Sequence, residues 1–271
     1  MNAPQRLSLA GAIIALCFCL PLGVLTGVRA DKTPKPEEIV ERTILAYGSR
    51  AALYAIQRNG TLRALIKFST PDGVREGKSV TRFIRKEKLA EDLLMIDLEL
   101  PGTRYIIGFD GKETWAIQDG EIQKPTTEAV EAFRSAHEHS YEALLRYKEN
   151  GSKIEYVGTN KFGTLEMDTI DLIAPGGART RYEISRRTGR IIYANYEDKS
   201  AAKSDPVKYR LYFKDFKPVQ NTLVPYEIQV FQDGKLIEER KIVESVFNIQ
   251  LDEKAFKAEN ANKPAEAAIK P

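Results

Sequence analysis

His137 and His139 are the only histidines in the 271-residue chain. They stand two apart in Thr126 to Asn150, a segment with helical apolar spacing. A helix carries such a pair on different sides, whereas a helical metal pair needs i,i+3 or i,i+4 spacing. A solvated helix is therefore expected and a metal site is not. Glu166 and Asp168 alternate with Leu165 and Met167, and Asp171 follows closely. Alternation puts Glu166 and Asp168 on one strand face. That suits a paired-carboxylate acid–base site, and it suits a polar outer face equally well. Arg179, Arg181, Arg186, Arg187 and Arg190 gather around one predicted hairpin. They could meet phosphate head groups or an anionic surface. Balanced overall charge favours the other reading, a wet strand face answered by Glu183 and its acidic neighbours. No serine elbow, phosphate loop or histidine-based nucleophile pair is present. The sequence yields no catalytic residues and implies no cofactor.

The larger signal is apolar. Four groups alternate with polar residues: Leu62, Ile66 and Phe68; Leu94, Ile96 and Leu98; Ile107, Phe109 and Trp115; and Tyr209, Leu211 and Phe213 with Val224, Tyr226, Ile228 and Val230. Acyl chains bind by burial, at about 0.8 kcal/mol per CH₂. A cavity for them needs many such side chains and few charges. The same residues would also serve as ordinary sheet core.

The elements that position these residues follow from periodicity. Pro36 to Gln57 has helical spacing, with Glu37 and Glu38 suited to a helix start. Gly48-Ser49 predicts two short helices meeting at a bend, with Ser49 capping the second. Thr61 to Gln123 reads as strands and tight turns, with Asp110-Gly111 and Asp119-Gly120 between apolar runs. One or two helices are expected over Thr126 to Asn150. Ser152 to Asn248 then reads as about six further alternating segments. Leu251 to Phe256 is a short closing element. Residues 257–271 have no apolar period and are expected to be a disordered tail.

Arg6, the apolar run Leu7 to Val28 and the Val28-Arg29-Ala30 site read as a secretory signal peptide over 1–30, followed by a linker at 31–36. A retained membrane anchor is the alternative, since the run is long enough to span a bilayer. Cys17 and Cys19 both lie in this segment, preceded by Leu16 and Phe18 where lipidation wants a small residue. Cleavage would leave 241 residues without cysteine, which excludes disulfides and thiolate chemistry and suits a bacterial periplasm. Segment 1–30 contains Arg6, Arg29 and no acid, so 41 basic residues become 39 against 38 acidic. That balance argues against a nucleic-acid partner. Residues 37–256 are expected to form a single domain.

Four stretches carry a family resemblance: EEIVERTILAYGSRAAL, GFDGKETWAI, YRLYFKDFKPVQNTLVPYEIQVF and NIQLDEKAFK. In this order and spacing the chain resembles the LolA/LolB/LppX-like superfamily of periplasmic lipoprotein and lipid carriers. It looks most like the outer-membrane lipoprotein-sorting branch. Gly48-Ser49 departs from it, standing where a Gly-Gly pair is common. The resemblance implies an α+β, mainly antiparallel fold: an unclosed, curved half-barrel of about ten or eleven strands with helices on its concave side. It also implies an apolar cavity between sheet and helices. The expected function is a non-catalytic, monomeric periplasmic carrier of lipoprotein or lipid acyl chains, working with membrane donor and acceptor proteins. The alternatives are an envelope sensor or scaffold that binds a protein partner, and an enzyme on the same fold.

Overall fold

The computed structural model describes residues 34–198 and 205–261. Helix α1, Pro36–Ala46, begins with proline in its first turn beside Glu37 and Glu38. Proline has no N–H to lose there, and the two carboxylates meet the positive end of the helix dipole. Ile39, Val40, Thr43 and Ile44 form its buried stripe. Helix α2, Arg50–Ile56, is capped as the sequence predicts: Ser49 Oγ accepts from the Ala52 N–H. The bend docks on the sheet, where a Cβ on Gly48 would lie 2.7 Å from the Asn221 carbonyl oxygen. Beside it, the Leu223 N–H donates to the Tyr47 carbonyl.

Six strands follow: β1 Asn59–Thr70, β2 Gly73–Ile84, β3 Leu93–Leu100, β4 Thr103–Phe109, β5 Thr114–Gln118 and β6 Glu121–Gln123. Helices α3, Thr127–Glu138, and α4, Tyr141–Leu145, come next. Seven more strands complete the sheet: β7 Lys153–Phe162, β8 Leu165–Ile173, β9 Arg179–Ser185, β10 Ile191–Asp198, β11 Val207–Val219, β12 Thr222–Gln232 and β13 Lys235–Phe247. All pairings are antiparallel, in the order β6-β5-β4-β3-β2-β1-β13-β12-β11-β10-β9-β8-β7. The sheet does not close. It is the expected curved half-barrel, with thirteen strands where about ten or eleven were expected. The excess has two sources. The segment from Thr180 to Tyr196, counted once among the six although a turn was expected at Thr188-Gly189, is the two strands β9 and β10. Strand β6 is three exposed residues with no apolar period.

Alternation divides the core between the two sheet faces. On the concave face, α1 and α4 bury Ile39, Ile44, Tyr141 and Leu144 against Ile170, Tyr182, Ala194 and Phe213. On the convex face, Leu93, Met95, Ile106, Trp115 and Ile117 pack under the closing segment through Phe256 and Ala261. That segment is a 3₁₀ turn, Glu253–Phe256, followed by the short helix α5, Ala258–Ala261. Order therefore continues past Lys257, where a disordered tail was expected to begin. Ala261 has apolar surface to cover and is 3% exposed. Residues 262–271, the expected signal segment 1–30 and residues 31–33 lie outside the described residues.

A cavity between sheet and helices

The antiparallel register brings inward-facing side chains from distant strands into rows. One row runs Phe83, Leu94 and Phe109 across β2, β3 and β4. Another runs Phe213, Ile228, Arg240 and Ile66 across β11, β12, β13 and β1. Helix α3 crosses over these rows. Thr126 caps it, accepting from the Ala129 N–H, and its buried Phe133 faces the sheet. A cavity of about 510 Å³ remains between α3, α4 and the sheet. That is within the usual range for small-molecule sites, about 300–1,000 Å³.

The sheet wall includes Leu62, Leu94, Ile96, Tyr209, Leu211, Phe213, Ile228 and Val230 from the sequence-derived sets. Phe133, Ala136 and Tyr141 line the helical side. Ile66, Phe68, Leu98, Ile107 and Phe109 lie on the same sheet face by register but do not line the cavity. Ile66 and Ile107 are buried, and Phe109 lies under the Arg134 guanidinium of α3, 5.7 Å from its ring centre. Val224 is buried in the cluster formed with Phe83, Ile242 and Phe247, and Tyr226 packs on the edge of that cluster. Trp115 is on the other face of the sheet. Its register partner Gly108 belongs to the convex set, and its Nε1–H donates to the Phe256 carbonyl at 2.8 Å. The sequence reading grouped Trp115 with Ile107 and Phe109, but one residue of parity separates them in the paired strands.

The lining residues that the sequence reading missed include two charged side chains, Glu238 and Arg240, at successive inward positions of β13. A signal for them exists. Glu238-Glu239-Arg240-Lys241 is a run of four charges inside a strand. Alternation must turn two of the four inward whichever face is apolar.

Of the residues with potential chemistry, His137 and Asp92 line the cavity and His139 does not. His139 ends α3 and turns inward, so it is 5% exposed and not on a solvated face. Its ring stacks on Tyr196 with centroids 3.9 Å apart, and Nδ1 lies 2.6 Å from Thr180 Oγ1. Burial lowers its pKa to about 4. His137 instead approaches Asp92, with Nε2 3.3 Å from Oδ2. Arg146 on the turn after α4 donates to the same carboxylate at 2.5 Å and to the Lys86 carbonyl. Burial raises the Asp92 pKa, but the hydrogen bonds from His137 and Arg146 outweigh it, and the net shift is downward. This network ties the helical cover to the loop after β2.

Glu166 and Asp168 do not form a site. Asp168 is buried and paired with Arg42 of α1 at 2.8 Å, while Glu166 is exposed. Asp171 accepts from Arg179 and Arg181, each at 2.7 Å. The arginines of this hairpin therefore belong largely to strand-face ion pairs. Among the described residues no three His, Cys, Asp or Glu side chains group as metal ligands.

No protein-family model matches the sequence, and no curated protein matches it. Solved structures do match its fold. A DUF1329 family protein from Desulfovibrio piger superposes with a TM-score of 0.58 at 11% identity, over 84% of this chain and 99% of that one. A domain assigned as an outer membrane lipoprotein-sorting protein from Vibrio parahaemolyticus gives 0.56 at 12% identity, over 83% and 96%. A LolA superfamily protein from Nitrosomonas europaea gives 0.56 at 8% identity, over 84% and 99%. At these identities the likeness establishes a LolA-like fold and nothing finer.

Proposed function

We propose that this chain is a non-catalytic carrier that holds acyl chains of lipids or lipoproteins in the cavity beneath α3, and that it works in the periplasm. The observation that carries this reading is the cavity itself. About 510 Å³ of space lies against apolar side chains from β1, β3, β11 and β12, where a close-packed core would leave few voids larger than a water molecule. An acyl chain covers such walls at about 0.8 kcal/mol per CH₂ buried. The signal-peptide reading of residues 1–30 supports export, and the absence of any cysteine after Cys19 suits the periplasm. Lipoprotein-sorting relatives in fold make a lipid or an acylated protein the first cargo to test.

The test is native mass spectrometry with organic extraction, on protein purified gently from its own periplasm. Co-purifying mass that extracts as lipid or acylated peptide is expected. An unliganded mass, unchanged after incubation with lipid vesicles, would remove the carrier reading and move the search to protein partners in the envelope.

A further inference from the structure

Arg240 faces into the cavity from the middle of an apolar row, with Ile66 opposite it on β1 and Ile228 on β12. Glu238, the next inward residue, accepts from Arg240 Nη2 at 2.5 Å. Arg240 Nε is buried and has no hydrogen-bond partner among the described residues. The buried hydroxyl of Ser140, also in the cavity wall, is likewise without a partner there. A buried donor left unmet costs about 1–3 kcal/mol. Hydrocarbon alone leaves Arg240 Nε unmet, whereas an oxygen acceptor entering with the chain would answer it.

The rim restricts which acceptor that is. Glu128, Glu131 and Asp198 line the cavity and form no ion pair among the described residues. Their negative potential opposes a carboxylate or phosphate at the mouth. A neutral carbonyl meets no such opposition.

We propose that Arg240 recognises the carbonyl of an acyl ester or amide linkage, so that the cargo is an acylated molecule and not bare hydrocarbon or a free fatty-acid anion. This rests on the carrier reading and specifies its substrate. In this reading Arg240 holds the linkage as a binding residue.

The experiment compares two neutral lipids that differ at one carbonyl, 1-palmitoylglycerol and 1-O-hexadecylglycerol. Each displaces a fluorescent anilinonaphthalene sulfonate probe from the full chain after export. The wild type is expected to bind the ester about 10-fold more tightly or better, as for a hydrogen bond to a charged donor. Arg240→Lys keeps the charge beside Glu238 and removes the Nε donor. It is expected to bring the two lipids within about twofold, through a larger loss of the ester than of the ether. Equal wild-type affinities, or an equal loss of both lipids in the variant, would overturn the role of Arg240 and leave the carrier standing. Tighter binding of palmitate than of the ester would overturn the neutral carbonyl. If neither lipid displaces the probe from the wild type, the carrier reading falls and this site falls with it.

Discussion

At the residue scale, His139 is a side chain whose burial moves its titration within the range where proteins are handled. It is buried between Tyr196 and Thr180, with Asp198 too weak a charge to offset desolvation, and its pKa falls to about 4. An unfolded histidine titrates near 6.5. Between those values the unfolded chain holds a proton that the folded chain refuses. Stability is therefore lost as pH falls through this window, by about 2–3 kcal/mol on reaching about pH 4.5. Asp92 and Asp171, whose pKa values are lowered, add their acid loss only below the ordinary carboxylate range. His139→Gln is expected to flatten the slope between about pH 7 and pH 4.5, read as urea midpoints of variant and wild type. Parallel slopes would show that His139 is not the group responsible. The spacing of the histidine pair was legible before folding, and this burial was not. Which way a helix-terminal residue turns depends on the sheet it meets.

At the element scale, the bend between α1 and α2 was legible because its residues act locally. Gly48 supplies a positive φ of 123°, and Ser49 caps α2. Ser49 itself has φ 75° and ψ 155°, a region essentially reserved for glycine. Ser49→Gly is therefore expected to stabilise the fold by about 0.5–1 kcal/mol, relief of strain exceeding a cap loss of a few tenths and the added chain entropy. Ser49→Ala keeps the strain and loses the cap, at a cost of about 1 kcal/mol. Thermal unfolding of both variants checks the order, and an alanine variant as stable as the glycine one would contradict it. The strands were legible to the same depth, through alternation and Asp-Gly turns. What sequence alone missed is parity across pairs. Trp115 and Ile107 sit on opposite faces because β4 and β5 pair Gly108 with Trp115. Arg240 went unnoticed because apolar neighbours on β1 and β12, not on its own strand, make its position unusual.

At the scale of the whole molecule, strand order dictates where the cavity lies. Strands β1 and β13 meet in the middle of the sheet, so β6 and β7 become its two edges. The chain between those edges is α3 and α4, which must cross the open face and thereby roof it. A roof held by its two ends and by the Asp92–Arg146 pair leaves fixed room beneath it. A 150 Å³ cavity lined by aliphatic and aromatic side chains takes one benzene, so about 510 Å³ takes on the order of 20 carbon atoms. Affinity for 1-monoacylglycerols should therefore climb with chain length, by up to about 0.8 kcal/mol for each added CH₂. It should then level off near one chain of about 16–18 carbons, because further methylenes must remain in water. Saturating lipid at about 100 times its Kd adds about 2.7 kcal/mol to the folded state. Thermal shifts across a series of chain lengths read both effects together. A shift that plateaus near the expected length supports a bounded cavity under α3. A shift that grows without limit would mean the chains bind along an open surface, and a flat series would mean the space beneath α3 closes on itself.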